Sequence, residues 1–417
     1  MKLIHLGDLH FGKLLHGLSL AESGDQRYWA EQCLAVVERE KPQAVLLAGD
    51  IYDRSQPSGE ARALAGWFLT ALCRLGPQVL MIAGNHDSAE NVDYLRELLA
   101  EQGLHASGVL RRELTRVTLS DEAGPVDFWL LPYFFPARAG EALGTPVNGG
   151  YTEAARQILA AQPVDPARRN VLIAHQLVLS GPDEPERGGS ETMVGGLGQI
   201  DCRVFDAFDY VALGHIHRPQ AIGRPGVNYC GAPLCYHFDE AGKTDEGNAR
   251  GIQIVTLGPK GQPPEIRRAP AKPLHPLRNI TGTLAEVVER ETACPGHGEY
   301  LHVHLLDDTL PERAQESLND LFESHGSRLL LVTRKSFDGG PEASAGPSAD
   351  AESMPLRDLF EAYYQMQLSR LPEGAEAELI RETAALTEEC LGDTEEADDR
   401  TVERLLRYAL AQKEAEA

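Results

Sequence analysis

Positive charge is in deficit: 39 Lys and Arg stand against 63 Asp and Glu, a formal net charge of -24 over 417 residues. That balance excludes the basic footprint with which a protein grips nucleic acid unaided. Lysine is scarcest, 8 against 31 arginines, a usage that suits bidentate phosphate contacts and equally reflects codon bias. Cysteine is sparse too, seven residues with no CxxC pair, which excludes a disulfide scaffold and points to a reduced, intracellular setting. No run approaches 18 uncharged apolar residues, and the opening MKLIHLGD lacks the apolar stretch of a signal peptide. The expectation is a soluble, cytoplasmic protein with no membrane segment. Internal repeats are also lacking.

What is present is globular: 42 % hydrophobic and 24 % charged residues. The length predicts a main domain of roughly 250 residues with one or two smaller units. As far as about residue 258, short apolar runs alternate with amphipathic stretches, the pattern of an α/β layered domain. The spacing predicts strands at Leu3–Leu6, Ala44–Ala48, Val79–Ala83, Phe128–Leu131, Val171–Ala174, Tyr210–Leu213 and Gly251–Leu257, and helices at Gln26–Glu40, Gly59–Leu75 and Asn91–Gln102. The Pro-rich RRAPAKPLHP, Arg267–Pro276, reads as a connector. Beyond it, helices Thr283–Glu291 and Glu312–Ser324 and strands Tyr300–Leu306 and Leu329–Thr333 make a small α+β unit. Asp338–Asp350 has linker composition, and Met354–Gln367 and Thr401–Gln412 pattern as amphipathic helices. The predicted divisions are therefore 1–265, 266–335, 336–350 and 351–417.

Five strings with metal-ligand residues follow the apolar runs: LGDLH (Asp8, His10), LAGD (Asp50), AGNHD (Asn85, His86), AHQ (His175) and LGHIH (His215, His217). Loops leaving the carboxyl ends of strands in an open α/β sheet converge on one edge, so strand register gathers these groups into one site. The chemistry suggested is two-metal hydrolysis, with ions roughly 3.5–4 Å apart stabilising the attacking and leaving oxygens at phosphorus. Asp50 suits the bridge, since its two anionic oxygens can reach two cations. Mixed imidazole and oxygen ligation favours manganese, iron or zinc over magnesium or calcium.

The ordered set D-x-H, G-D, G-N-H-D, H, G-H-x-H resembles the calcineurin-like metallophosphoesterases. More closely, IHLGDLHFGKLLH, LLAGDIYDRSQPS, AGNHDSAEN, FDYVALGHIHRPQ and NYCGAPLCYHFDEAGK are similar to the bacterial SbcD-type nuclease subunits. The resemblance implies a four-layered α/β/β/α sandwich, a capping domain after Pro270, and terminal helices that dock onto an SbcC-like coiled-coil ATPase. It implies a manganese-dependent enzyme that processes DNA ends and hairpins, as a 3′ to 5′ exonuclease and single-strand endonuclease, and a homodimer within a heterotetramer. It places Asp8, His10 and His217 on one metal, Asn85, His175 and His215 on the other, and Asp50 between them. His86 becomes the group that stabilises or protonates the leaving oxygen. By analogy with the phosphatase branch, the Asp53 carboxylate is expected to orient His86 and raise its pKa.

Two other functions remain open here: a phosphomonoesterase or cyclic-nucleotide phosphodiesterase of the same superfamily, and a scaffold with a vestigial site. Among lesser candidates, Lys13, His16 and Arg54 flank the motifs and either touch phosphate or are ordinary solvated positions. His302 and His304 alternate on one strand and read as a strand face, and Cys294 and His297 read as loop residues. Leu359, Phe360, Tyr363 and Tyr364 form an apolar cluster suited to docking on a partner. The segment from Ser336 onward carries -13 of the net charge, which narrows the argument against DNA. The expectation becomes weak DNA binding alone, with most of the grip supplied by the partner.

Overall fold

In the computed structural model the described residues are 1–181, 199–242, 250–307 and 314–334. Two six-stranded sheets carry the first domain. In one, the strands run in the order Glu265–Pro270, Gly251–Thr256, Lys2–Leu6, Ala44–Ala48, Gln78–Ile82, Leu104–Ser107. In the other the order is Gln220–Ile222, Arg224–Tyr229, Tyr210–Gly214, Arg169–His175, Gly124–Leu131, Thr115–Asp121. The central strands pair in parallel, as does the edge strand Leu104–Ser107, and antiparallel pairing closes the other edge of the first sheet and both edges of the second. Ala44–Ala48 is buried at every position, because a strand covered on both faces gains nothing from polar alternation.

Leu46, Leu80, Phe128, Leu130, Ile173 and Ala212 fill the space between the sheets. Helices Asp25–Glu40 and Gly59–Arg74 cover the outer face of the first sheet, burying Trp29, Cys33, Phe68 and Leu72 against Val45 and Leu47. Helices Pro136–Leu143 and Gly150–Ala160 cover the second, with Ala155 and Ile158 against Trp129 and Leu172. The layering is α/β/β/α, as the resemblance implied.

Two boundaries differ from expectation. The helix predicted over Asn91–Gln102 is two short ones, Ala89–Asp93 and Arg96–Ala100, parted where Leu95 takes a φ of 58°. Tertiary bonds end the first: Asp93 accepts from the backbone N–H of Gly108 at 2.6 Å and pairs with Arg111. The first domain also runs past residue 265, since Glu265–Pro270 pairs along Gly251–Thr256 and buries Ala269. Its proline sits at the end of an edge strand, where no ladder donor is missed.

The following unit is a parallel three-stranded sheet, Leu277–Gly282, Tyr300–Leu305, Arg328–Arg334, with crossover helices Leu284–Ala293 and Ala314–Glu323. Thr283 and Glu286 form a capping box at the first helix. The unit has its own core of Ile280, Val287, Leu301, Val303, Leu318 and Phe322. It meets the first domain through Tyr300, whose hydroxyl donates to Asp25 at 2.8 Å, and Asn279, whose amide donates to the Phe238 carbonyl at 2.8 Å. The predicted linker 336–350 and helices of 351–417, with Leu359, Phe360, Tyr363 and Tyr364, lie outside the described residues. Among the described residues no helix is long and apolar enough to cross a membrane.

Candidate metal centre

Each motif loop begins where a parallel strand stops, and in three of the five the chain takes backbone angles that L residues avoid. Asp8, His10, Asp50 and His215 have φ of 54°, 43°, 51° and 98°, a clustering of strain expected at functional sites. Close approach of the loops explains the motif glycines. A Cβ on Gly84 would lie 2.1 Å from Asp50 Oδ1, and one on Gly214 would lie 1.9 Å from the Ala48 carbonyl.

The two carboxylates are held in the same way. Asp8 Oδ1 accepts from the His215 N–H at 2.7 Å, and Asp50 Oδ1 accepts from the His86 N–H at 2.9 Å. Their second oxygens point into the site. Asp8 Oδ2 is buried with no hydrogen-bond partner, while Asp50 Oδ2 lies 3.3 Å from His175 Nε2 and 3.5 Å from His10 Nε2. His10 Nε2 faces His217 Nε2 at 3.2 Å. Asn85 Oδ1 lies 3.0 Å from His175 Nε2 and 3.1 Å from His215 Nδ1. Asp8, His10 and His217 form one potential ligand group, Asp8, Asp50 and His175 a second, and His10, Asp50 and His86 a third. The structure thus brings together all seven expected ligands and His86.

The donor set fits divalent cations. Ring nitrogens and the side-chain oxygens of Asp50 and Asn85 converge within 3.0–3.5 Å of one another, where lone pairs repel unless positive charge lies between them. The ionisation pattern follows. Burial raises the Asp8 carboxyl to about 6, against the opposing pull of His175 and His217. Burial would raise Asp50 too, but the charge and hydrogen bond of His175 hold it well below the ordinary range. Burial lowers the His175 imidazole, yet Asp50 and Asp8 carry it up to about 9. A proton on His175 offsets the buried carboxylates where no cation does.

Asp53 departs from the expected arrangement. The oxygen that meets His86 Nδ1, at 2.9 Å, is the backbone carbonyl of Asp53. Its carboxylate instead accepts from Lys13 Nζ at 2.8 Å and lies 3.6 Å from His10 Nδ1. The strand-like pairing of Phe11 with Tyr52 draws Asp53 alongside the His10 loop, turning its side chain away from His86. Arg54 is largely exposed, 3.8 Å from Asp53, and His16 stacks on Phe238. His302 bonds Asn279 and Thr333, and His304 also meets Thr333, so both act as a strand face. His297 bonds the His325 carbonyl and Cys294 is exposed.

Three supporting residues carried no role in the sequence reading, although two of its quoted strings contain them. Asp87, in AGNHD, accepts from the backbone N–H groups of Ile51, Tyr52 and Gly84, tying two motif loops together. Tyr236 donates to the carbonyl of Leu9 at 2.7 Å and places its ring edge-on to His10 and His217. Buried Glu240 lies 3.9 Å from His217 Nδ1, and the Tyr236 N–H and Arg250 Nη2 donate to its other oxygen at 2.9 and 2.6 Å. Arg250 Nη1 also donates to the His217 carbonyl at 3.2 Å.

Comparison with known proteins gives two family matches. Residues 1–219 match the calcineurin-like phosphoesterases, and residues 273–368 match the SbcD C-terminal family, described as the Type 5 capsule protein repressor C-terminal domain. Among solved structures, TT1561 of Thermus thermophilus is similar at 9 % identity with a TM-score of 0.35, and a dimetal phosphatase from Danio rerio at 13 % with the same score. Each comparison covers 64 % of this chain and 98 % of the other.

Proposed function

The chain belongs to the calcineurin-like phosphoesterase family, and we propose that within it the chain is a manganese-dependent DNA nuclease subunit of the SbcD kind. The observation that carries this reading is the convergence of Asp8, His10, Asp50, Asn85, His175, His215 and His217 on one point at the strand ends, buried on the Asp8, His10 and Asp50 side and open to solvent at Asn85, with His86 beside it. Asp8, His10 and His217 would hold one ion, Asn85, His175 and His215 the other, with Asp50 bridging. Bound there, two divalent ions supply charge for the phosphate oxygens and make an attacking water more acidic.

The chain's own groups do the rest. The strained loops fix the ligand atoms before substrate arrives, so little reorganisation is left for the reaction. The Asp53 carbonyl can only accept, so the His86 proton on that side sits at Nδ1 and Nε2 is left to exchange a proton with substrate. As water attacks phosphorus and the phosphorus–oxygen bond to the leaving nucleoside breaks, protonated His86 gives its Nε2 proton to the departing oxygen. Lys13, paired with Asp53, is available to a neighbouring phosphate.

The match to an SbcD C-terminal family supports DNA over small phosphoesters, and an SbcC-like coiled-coil ATPase as partner. In this reading the chain is cytoplasmic, residues 351–417 dock the ATPase, and two nuclease subunits and two ATPases assemble on DNA ends and hairpins. The test is a 3′-end-labelled duplex with Mn2+. Mononucleotide release that disappears in His86→Ala supports the nuclease. Hydrolysis of p-nitrophenyl phosphate alone would favour a phosphomonoesterase, and absence of metal uptake a scaffold. Retained capture of the ATPase by a chain lacking residues 351–417 would overturn the docking role.

A further inference from the structure

Strand Gly124–Leu131 runs parallel to Arg169–His175, with Leu131 opposite Ala174, so its outgoing loop leaves the sheet beside His175. That edge of a parallel sheet is where ligands bind, yet the loop, Pro132–Pro136, brings no metal-ligand or charged residue. It brings Tyr133, Phe134 and Phe135 instead. Two bonds tie it to neighbouring motif loops: the Tyr133 N–H donates to the Ala83 carbonyl at 2.9 Å, and Gln176 Nε2 donates to the Phe134 carbonyl at 3.1 Å. Phe134 packs in the core beneath the second sheet's helices, 2 % exposed. Tyr133 and Phe135 on either side of it stay half-buried. Their ring centroids are 5.1 Å apart with planes at 88°, and the Tyr133 ring stands 6.3 Å from that of His175 at 78°. Rings that meet edge to face leave flat π surface for a third. The centre opens on this same side, since Asn85 is exposed while Asp8, His10 and Asp50 are buried.

We propose that Tyr133 and Phe135 form a base-stacking platform, which holds the unpaired base of the nucleotide whose phosphate lies on the cation positions. This rests on the nuclease reading above and adds a substrate requirement to it. A chain of net charge -24 repels a polyanion, and a neutral ring gains contact with DNA through its bases without adding to that repulsion. A base inside a duplex has both faces against its neighbours. It must leave the stack to reach the platform, at least cost where it is mismatched or already single-stranded. Every base has a π face, so the platform selects unpaired nucleotides without reading sequence.

The test uses the full chain with Mn2+ and two 5′-labelled duplexes that differ only at one 3′-terminal nucleotide. In one it is a mismatched thymidine, in the other a tetrahydrofuran residue with no base. Both ends are unpaired, so the pair isolates the ring available for stacking. Wild type should remove the thymidine nucleotide with a kcat/KM about 5- to 150-fold higher, the worth of one base on an aromatic ring. The double variant Tyr133→Leu, Phe135→Leu keeps apolar bulk without a π face and should treat the two duplexes alike, whereas Tyr133→Phe should keep the preference. A purely structural role would lower both rates together and leave their ratio as in wild type. Circular dichroism and Mn2+ uptake matching wild type check that the variants fold and assemble the centre. If the double variant does not fold, the single changes and the wild-type ratio carry the test. The inference is overturned, with the nuclease reading intact, by a wild type that removes both terminal nucleotides equally well, or by a folded double variant that retains the full preference. If wild type takes up Mn2+ and leaves both duplexes uncut, the nuclease reading fails, and this inference with it.

Discussion

His86 Nδ1 meets the backbone carbonyl of Asp53 at 2.9 Å, while the Asp53 carboxylate turns to His10 and Lys13. A carbonyl cannot be removed by changing the side chain, so the orientation of His86 should survive Asp53→Asn. The pH profile of turnover should keep its shape in that variant, with the loss appearing in the Mn2+ concentration needed. His86→Asn should lower kcat by about 10²- to 10⁴-fold, the usual worth of a positioned proton donor, with Mn2+ binding retained. Loss of one bound ion in His86→Asn would instead make His86 a ligand, which its grouping with His10 and Asp50 allows.

The loops around Gly84 leave no room for a side chain. A Cβ there would lie 2.1 Å from Asp50 Oδ1 and 2.4 Å from the Asp50 nitrogen, so Gly84→Ala should displace the bridging carboxylate. Overpacking of this kind costs about 1–3 kcal/mol, and Mn2+ uptake should fall with it. Gly66 is the control. It lies inside helix Gly59–Arg74 with nothing within 4 Å of a built Cβ, and Gly66→Ala should stabilise the chain by about 0.5–1 kcal/mol. Thermal melting of both variants checks the contrast in sign.

The centre was legible in the sequence because its ligands sit at the ends of parallel strands, and the apolar runs that mark those strands are continuous. Asp8, Asp50, Asn85, His175 and His215 all follow from that rule. Glu240 does not, since it lies in a short 3-10 turn, Phe238–Glu240, with no periodicity to place it, and only the folded chain brings it to His217. The Asp53 carboxylate was misplaced for a similar reason: its direction depends on the long-range pairing of Phe11 with Tyr52. Edge strands such as Glu265–Pro270 and Thr115–Asp121 went unread because half their residues face solvent. Strand Leu277–Gly282 was hidden by the prolines just before it.

Arg169 is 3 % exposed and binds Asp121 through both terminal nitrogens, as well as the Gly258 carbonyl at 3.2 Å. The Arg169 hydrogen bonds hold the Asp121 carboxyl well below its ordinary range, against a smaller opposing effect of burial. A carboxylate whose folded pKa is depressed stabilises the fold above its unfolded pKa, and that contribution is lost as pH falls through the folded value. Wild type should therefore lose stability between about pH 4 and pH 2 in part through this group, by the reference pKa of aspartate. Asp121→Asn leaves a buried guanidinium short of its anion and should cost about 2–4 kcal/mol at pH 7. Its denaturant midpoint should then vary less with pH across the acid window, and an unchanged slope there would remove Asp121 from the account of acid sensitivity.

Asp8 and Asp50 are 0 % and 2 % exposed, and Asp8 Oδ2 has no hydrogen-bond partner. A buried, unpaired anionic oxygen destabilises the fold by several kcal/mol unless a cation meets it. In chelator, Asp8→Asn removes the charge while its remaining oxygen can still accept from the His215 N–H, so this variant should melt above wild type. In Mn2+ the order should reverse. Each ion bound at a hundredfold excess over its Kd adds about 2.7 kcal/mol to the folded state, and the variant forfeits the ion that Asp8 holds. At a few degrees of Tm per kcal/mol for a chain of this size, crossing of the two melting curves between chelator and saturating Mn2+ is within reach of calorimetry. Wild type melting above Asp8→Asn in both conditions would mean that Asp8 is held by the fold for structural reasons and not for a cation.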